Sequence, residues 1–331
     1  MAKIVPVEES VGEILLHDIT AVDPEKGFKG RIFKKGHVIR PEDVDRLKDV
    51  GKNRIYVFEL SADEIHEDDA AKRLSRAVAG EHTAAGDKPK EGKIDIRATA
   101  HGVCEIDLEK LEAFNSVGEP SCPTIYTHSV VRPGDKLAAV RIISLTAPRE
   151  EIEEAERIAA GGIVRVVPFR PRKAGLIITG DEVYHGRIKD KFYDKLRPKL
   201  QELSCEIEEK IILPDREETI REKIREFVGR YDLVVLTGGT SVDPDDVTYK
   251  ALKNAGVEGF IRGNPIQPGN MLTLGWVEET PVVAVPAAAI YFRWTALDLW
   301  LPRLLLGERI QKQEVIRRAH GGLLQAIKEI R

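Results

Sequence analysis

The stretch that decides the fold is Tyr231-Asp232-Leu233-Val234-Val235-Leu236-Thr237-Gly238-Gly239-Thr240-Ser241. Its apolar run is uninterrupted, as expected of a parallel strand that is buried on both faces of a sheet. The glycine pair that follows lets backbone N–H groups turn toward an anion, because no Cβ stands in the way. The stretch therefore predicts a buried strand that ends in an anion-binding loop. A tight strand-to-helix turn without a ligand would use the same two glycines.

Strands and helices alternate around this stretch. We expect strands at 173–179, 206–213 and 231–237, and helices at 192–203, 216–228 and 246–255. Pro198 predicts a kink or a late start in the first of these helices, and Asp215 is the expected N-cap of the second. The alternation predicts an α/β fold, namely a three-layer, doubly wound and mostly parallel sheet.

The length of 331 residues suggests two or three domains. Changes in pattern divide the chain into an N-terminal α+β linker domain at 1–60, a β-rich middle domain with exposed helices at 61–164, the α/β domain at 165–306, and an amphipathic C-terminal tail at 307–331. We expect residues 63–79 to form one of the exposed helices. The segment 80–92 is rich in Gly, Lys, Glu and Ala, which is typical of a link between domains.

The charge balance excludes several partners. Lys and Arg number 51 and Asp and Glu number 55, so a net charge of −4 provides no global positive field for nucleic acid or an anionic membrane. The first ten residues lack the apolar stretch of a secretory signal, and we expect a cytoplasmic protein. Cys104, Cys122 and Cys205 are widely spaced and odd in number, which predicts buried free thiols rather than a disulfide framework.

In a doubly wound sheet, ligands bind at the carboxyl ends of the strands. Two loops qualify here, Thr179-Gly180-Asp181-Glu182 and the segment 237–246. The second loop includes three aspartates, Asp243, Asp245 and Asp246. One carboxylate is enough to cap the following helix, whereas a cluster suits Mg²⁺ held together with substrate phosphates.

Asp190 lies just before the helix at 192–203, on the same rim as these loops. It is either an N-cap or a site residue. His185 has no second His or Cys at ligand spacing, so we expect no transition-metal site. The sequence contains no Gly-x-Ser-x-Gly elbow, no Gly-Lys-Ser/Thr phosphate loop and no dinucleotide fingerprint, which argues against serine hydrolases, P-loop kinases and dinucleotide oxidoreductases.

Taken together, these motifs resemble the molybdopterin-binding domain shared by molybdopterin molybdenumtransferases and adenylyltransferases of molybdenum cofactor biosynthesis. The matching stretches are residues 177–183, Asp190, residues 232–241 with Asp246, and Ile266-Gln267-Pro268-Gly269-Asn270. They follow one another in the family's order over about 165–306. Residues 33–57 and 132–137 resemble, more faintly, the linker and second domain of the molybdenumtransferase branch.

The resemblance implies a set of site residues. Those implied to bind the cofactor, molybdopterin or its adenylate, are Thr179, Gly180, Asp181, Thr237, Gly238, Gly239, Thr240, Ser241, Pro268, Gly269 and Asn270. The residues implied to be catalytic are Asp190, Asp246 and Glu182, and Asp190 and Asp246 are the implied Mg²⁺ ligands. The implied reaction is hydrolysis of the adenylated pterin coupled to insertion of molybdate. The family also implies a homodimer or homotrimer.

The chain departs from the family pattern at three places. Gln267-Pro268-Gly269-Asn270-Met271 stands where the family has Lys-Pro-Gly-Lys-Pro, Pro286-Ala287-Ala288-Ala289 stands where it has Pro-Gly-Asn-Pro, and only a short tail follows Leu306. The first change removes two positive charges suited to an oxyanion. Two alternatives therefore stay open: a non-catalytic molybdopterin carrier or sensor, and a nucleotide pyrophosphatase resembling the competence-damage-inducible proteins.

Overall fold

The computed structural model describes residues 3–23, 28–57, 63–239 and 247–324. The chain divides into two compact units, Met1–Val167 and Pro168–Arg331, called unit 1 and unit 2 below. Among the described residues, no helix is long and apolar enough to span a membrane.

The described residues of unit 1 form short strands and four α-helices. Its elements are β1 (Lys3–Pro6), a 3-10 turn (Val7–Glu9), β2 (Ile19–Asp23), β3 (Phe28–Phe33), α1 (Asp43–Asp49), β4 (Arg54–Val57), β5 (Glu64–His66), α2 (Glu67–Val78), β6 (Thr83–Ala85), β7 (Lys93–Ala98), β8 (Gly102–Ile106), α3 (Leu108–Asn115), β9 (Pro120–Ser121), β10 (Ser129–Val131), β11 (Lys136–Ile142), β12 (Thr146–Pro148), α4 (Arg149–Ile158) and β13 (Val164–Pro168). The larger sheets have the strand orders β6-β7-β11-β9 and β10-β8-β13. Three two-stranded ladders pair β1 with β4, β2 with β3, and β5 with β12.

Two expectations for unit 1 are wrong. The helix expected to be exposed at 63–79 is α2, and its apolar stripe of Ala70, Leu74 and Val78 is fully buried in the core of the unit. The i, i+4, i+8 spacing places these side chains on one face, and that face packs on β11 and β7. The segment expected to be a link contains β6, which pairs antiparallel with β7 from Thr83 to Ala85.

Unit 2 holds the α/β fold predicted from the sequence. Its elements are β14 (Arg172–Thr179), α5 (Asp181–Tyr184), α6 (Phe192–Glu202), β15 (Cys205–Leu213), α7 (Glu217–Phe227), β16 (Leu233–Thr237), α8 (Thr248–Asn254), β17 (Glu258–Arg262), β18 (Thr273–Val277), β19 (Thr280–Val285), α9 (Ala288–Tyr291), α10 (Ala296–Leu305) and α11 (Lys312–Arg317). They form one six-stranded sheet in the order β15-β14-β16-β19-β18-β17. The first four strands in this order are parallel, and β18 and β17 are antiparallel at one edge.

The strand order places a topological switch point between β14 and β16. The connection that leaves β14 leads through α6 to β15 on one side, and the connection that leaves β16 leads through α8 to β17 on the other side. Ile178 lies opposite Thr237 in the register, so the two strands end level with each other. Loops that leave adjacent strands in opposite directions open a crevice, which is where doubly wound sheets bind ligands.

Apolar packing on both faces holds this sheet together. Trp300 of α10 lies in the core on one face, and Phe227 of α7 lies in the core on the other. The segment after Leu306 joins unit 2 rather than standing apart: Ile310 and Val315 are buried in the first of these cores, and the Leu324 N–H donates to the Gln267 carbonyl at 2.9 Å.

The prediction of buried thiols is confirmed. Cys104, Cys122 and Cys205 are free and at most 1% exposed. Burial raises the pKa of each thiol to about 12.

Candidate functional site

The glycine pair after β16 is packed against the end of β14. Gly238 has a φ of +88° and Gly239 a φ of +55°, both in the left-handed region that favours glycine. A Cβ at Gly238 would collide with the carbonyl oxygen of Thr179. A Cβ at Gly239 would lie 2.5 Å from the Thr248 hydroxyl. Backbone conformation and close approach therefore both require glycine at these two positions.

Hydrogen bonds between threonine hydroxyls and backbone carbonyls connect the ends of β14 and β16. The Thr179 hydroxyl donates to the Thr237 carbonyl at 3.2 Å and lies 3.3 Å from the Thr248 hydroxyl. Thr248, the first residue of α8, donates in turn to the Gly238 carbonyl at 3.1 Å. The ends of β14 and β16 and the start of α8 are thus held in one network. Because Thr179 and Thr248 are both buried, the network lies under the loop rather than on its surface.

The Thr237 hydroxyl stands outside this network. Its side chain is fully buried, and its Oγ1 has no hydrogen-bond partner within the described ranges. Leaving a buried hydroxyl unpaired costs about 1–3 kcal/mol. Thr237 is the last residue of β16 and directly precedes the glycine pair, so this unpaired group lies at the switch point of the sheet.

Asp215 is a site residue that the sequence analysis missed. It follows β15 and was expected to cap α7, but that expectation is wrong: the N-cap residue of α7 is Arg216, with no side-chain capping bond. Asp215 Oδ2 instead accepts the Asp181 N–H at 3.0 Å, and Asp181 Oδ1 accepts the Asp215 N–H at 3.3 Å. This reciprocal pair joins the loops after β14 and β15. Its position after β15 could have indicated a place in the site, since β15 ends at the same edge of the sheet as β14.

The acidic groups around this pair favour the protonated form of Asp215. Burial is the largest cause and raises the pKa of Asp215 above its ordinary value; the hydrogen bond from the Asp181 N–H opposes this rise, and the charges of Asp181 and Glu182 add to it. Asp215 Oδ1 is buried beside these groups. A carboxyl of this kind can donate a hydrogen bond to a ligand oxygen when protonated and accept a proton when ionised.

Asp190 lies two residues before α6, whose N-cap residue is Lys191, and accepts two backbone hydrogen bonds from the start of this helix. Its Oδ1 accepts the Phe192 N–H at 2.8 Å and its Oδ2 accepts the Tyr193 N–H at 3.3 Å. Lys210 Nζ lies 4.0 Å from Oδ2. Both carboxylate oxygens are thus bonded to backbone donors in the first turn of α6.

The remaining described site residues lie at the same edge of the sheet. Gly180 has a φ of +141°, and the exposed carboxylate of Glu182 folds back over it. Thr273 lies opposite Ala284, so the loop before β18 meets the carboxyl end of β19. Within that loop, the Pro268 carbonyl accepts the Ala296 N–H at 2.9 Å.

Gly269 of the same loop leaves no room for a side chain, because a Cβ there would lie 3.0 Å from the Ala296 nitrogen. The Asn264 amide donates to the carbonyls of Gly269 and Asn270 at 3.2 and 3.4 Å. The peptide bond between Gln267 and Pro268 is cis. The loop is thus fixed against the start of α10.

Several predicted residues lie outside the described residues: Thr240, Ser241, Asp243, Asp245 and Asp246. Among the described residues, no group of three or more His, Cys, Asp or Glu side chains could hold a metal ion. Of the two predicted magnesium ligands, the structure describes only Asp190, whose oxygens cap a helix. The described residues therefore do not by themselves fit a Mg²⁺ site.

Comparison with known proteins connects this geometry to a family. Residues 175–305 match the family described as a probable molybdopterin binding domain, and residues 4–59 match a domain family of unknown function. The chain is 29% identical over 136 residues to the molybdopterin molybdenumtransferase of Haemophilus influenzae, which covers 39% of this chain and 33% of that protein. It is 33% identical over 79 residues to a CinA-like protein of Cytophaga hutchinsonii, which covers 24% of this chain and 19% of that protein.

A longer alignment of 307 residues, at 24% identity, relates the chain to gephyrin of Dictyostelium discoideum and covers 82% of this chain and 40% of that protein. Among solved structures, MoaB of Thermus thermophilus matches with a TM-score of 0.36 at 20% identity, over 41% of this chain and 96% of that one. The matched stretches span about a third of the length of the first curated relatives. Residues 175–305, which form most of unit 2, thus match the probable molybdopterin binding domain family, in agreement with the motifs and the α/β sheet of this unit.

Proposed function

We propose that the chain binds molybdopterin or its adenylate at the switch point between β14 and β16, and processes it in molybdenum cofactor biosynthesis. The observation that carries the proposal is the Thr237 hydroxyl, which is fully buried and unpaired within the described ranges, directly before Gly238 and Gly239. Buried hydroxyls in folded proteins are almost always paired. A ligand oxygen at the glycine pair would supply the partner that the described residues lack.

In this proposal the ligand's phosphate lies at the glycine pair, and Asp215 faces it across the crevice. The phosphate would accept from the Thr237 hydroxyl and from loop N–H groups. Asp215 would hold or release a proton beside it, because burial raises the pKa of its carboxyl above the ordinary value. Asp190 keeps α6 in place through its two capping bonds.

The finer assignment is a transferase that hydrolyses the adenylated pterin and inserts molybdate with Mg²⁺. Asp246, with Asp190, would be the metal's ligand in this assignment, and the metal would polarise the pyrophosphate. The described residues do not complete such a metal site. Omission of Mg²⁺ from a turnover assay tests this part of the proposal separately from pterin binding.

Replacing Thr237 by valine tests binding. Thr237→Val removes the hydroxyl but keeps the shape, so we expect a weaker affinity for molybdopterin by about tenfold, equivalent to one charge-assisted hydrogen bond. Stability should be unchanged or higher, because an unpaired buried hydroxyl is lost. Thr280→Val is the control, since Thr280 is a buried threonine at the start of β19, away from the glycine pair, and its hydroxyl already accepts the Gly229 N–H at 3.4 Å. Equal affinity in the two variants would contradict the proposal.

Turnover distinguishes the enzyme from a carrier. We expect Asp246→Ala to abolish release of AMP from adenylated molybdopterin while the protein stays folded and still binds the pterin. Binding without AMP release by the unmodified protein would instead favour a non-catalytic carrier or sensor, which the loss of both family lysines at 267–271 would explain.

The matches to CinA-like proteins favour a second candidate, a nucleotide pyrophosphatase. A panel of adenylated molybdopterin, a nicotinamide dinucleotide and ADP-ribose, each assayed with Mg²⁺, separates the two. Cleavage of the dinucleotide or of ADP-ribose alone would decide for the pyrophosphatase.

A further inference from the structure

Unit 1 contains an open cleft of about 930 Å³ that takes no part in the proposed pterin site. One wall is the hairpin of β2 and β3, and the other is the segment that leads into β7. The lining residues are Asp18, Thr20, Lys29, Gly30, Arg31, Gly86, Lys88, Pro89, Lys90, Glu91, Lys93, Asp95 and Arg97. All of them belong to unit 1, so the cleft is separate from the switch point in unit 2.

The cleft is strongly basic in a chain whose net charge is −4. Six Lys and Arg side chains face three carboxylates, which leaves a local charge of +3. The arginines are already neutralised: Arg31 binds Asp18 at 2.8 Å, and Asp95 accepts from Arg97 at 3.5 Å.

Four ammonium groups remain in the cleft. The side chains of Lys29, Lys88, Lys90 and Lys93 form no ion pair with any described residue. Glu91 is the single lining carboxylate without an ion pair in the described part of the chain, and Asp95 is paired twice, since it also binds Lys136 at 2.7 Å. The uncompensated charge of the cleft is therefore carried by lysine.

A tight turn fixes two of these lysines opposite each other. The Lys90 N–H donates to the Lys93 carbonyl at 2.9 Å and the Lys93 N–H to the Lys90 carbonyl at 3.2 Å. Between them Glu91 and Gly92 have φ values of +53° and +67°, as in a type I′ hairpin turn. Directly opposed residues project their side chains from the same face of a hairpin, and like charges so placed repel.

Gly92 anchors this turn to the body of unit 1. Its Cα lies against the Glu67 side chain at the start of α2, where a Cβ would collide with the carboxylate. The turn thus packs on α2, and its two backbone hydrogen bonds keep Lys90 and Lys93 at opposed positions. Two ammonium groups on opposed positions repel each other, and a multiply charged anion between them would relieve that repulsion.

We propose that this cleft binds a small oligophosphate, a ligand with at least two contiguous phosphate groups, either inorganic or carried by a nucleotide. A volume of about 930 Å³ falls within the range of small-molecule sites. The lining residues include no aromatic side chain on which a base would stack, so recognition rests on the phosphates. The four lysines without carboxylate partners match the charge of a ligand with three or more negative charges more closely than that of a ligand with one.

Calorimetric titration of the full chain in EDTA tests the proposal, with inorganic tripolyphosphate, ATP, AMP and sulfate as probes. We expect tripolyphosphate and ATP to bind with similar affinity, and AMP and sulfate at least about tenfold more weakly. Lys90→Ala combined with Lys93→Ala should weaken tripolyphosphate binding by about tenfold or more. The matched control is Lys34→Ala combined with Lys195→Ala, which removes the same charge from exposed positions outside the cleft.

Four results would overturn the proposal: no tripolyphosphate binding by the unmodified chain, equal affinity of the two double variants, sulfate binding as tight as tripolyphosphate, or tighter binding of a single-stranded RNA oligonucleotide, which would indicate a nucleic-acid surface. If ATP alone bound in the first of these cases, the base would be the recognised group. Because the variants lie in unit 1, pterin binding by unit 2 should be unchanged in them. Failure of the pterin assignment would thus leave oligophosphate binding in unit 1 unaffected, and failure of oligophosphate binding would leave the pterin assignment unaffected.

Discussion

Replacing Gly238 by alanine should destabilise unit 2 by far more than an ordinary glycine substitution. A non-glycine residue in the left-handed region costs about 1–2 kcal/mol. At Gly238, φ +88°, the new Cβ would also meet the carbonyl oxygen of Thr179, which is backbone at the end of a central strand and cannot swing aside. Such overpacking costs about a further 1–3 kcal/mol. The expected loss in the free energy of unfolding is therefore about 2–5 kcal/mol.

Gly229→Ala is the matched control, because Gly229 has a φ of +77° and no atom within 4 Å of the position of a Cβ. It should lose only the conformational part, about 1–2 kcal/mol. Urea unfolding followed by tryptophan fluorescence measures both, since all three tryptophans, Trp276, Trp294 and Trp300, lie in unit 2. Equal losses in the two variants would refute the close packing of the glycine pair on β14.

Two further predictions concern ionisable groups in the cores. Burial, the largest cause, lowers the pKa of His66 below 6.5; its Nε2 bonds the Leu16 carbonyl at 2.8 Å, and its Nδ1 lies 2.8 Å from Lys35 Nζ. A histidine whose pKa is lower in the folded state binds protons more readily when the chain is unfolded, so unit 1 should lose stability as the pH falls below about 6.5. His66→Asn should flatten this pH dependence of the free energy of unfolding, measured by hydrogen exchange. The three thiols, whose pKa burial raises to about 12, should resist a thiol reagent at neutral pH in the native chain and react fully in denaturant, and rapid native labelling of any of them would contradict their burial.

The sheet of unit 2 could be predicted from the sequence because its strands are buried on both faces. Residues 233–237 read as one apolar run, and the structure makes β16 of them. Helix α6 likewise begins and ends within a residue of the predicted 192–203. In such elements the local sequence pattern and the tertiary environment favour the same residues, so a short window of sequence is sufficient to predict the element.

The contacts that build the site could not be predicted in this way. Asp215 precedes a helix and carries a good capping side chain, so local rules favour a cap. In the structure the Asp215 carboxylate instead accepts the N–H of Asp181, 34 positions away in sequence. The two residues meet because parallel pairing of β14 with β15 brings the ends of these strands together. The strand β6 was missed for a related reason: three residues, Thr83–Ala85, form a strand only because β7 supplies the partner.

The structure also changes what the glycine pair can be taken to show. Packing alone explains both residues, since Gly238 must avoid the Thr179 carbonyl and Gly239 the Thr248 hydroxyl. A strand-to-helix turn with no ligand would need the same glycines, so they do not by themselves indicate a phosphate site. The neighbouring Thr237 hydroxyl is different, because within the described residues no packing contact pairs it and a valine would fill the same space. The case for a ligand at this corner therefore rests on Thr237, and its substitution is a sharper test than any change to the glycines, whose loss would disturb the fold and the site together.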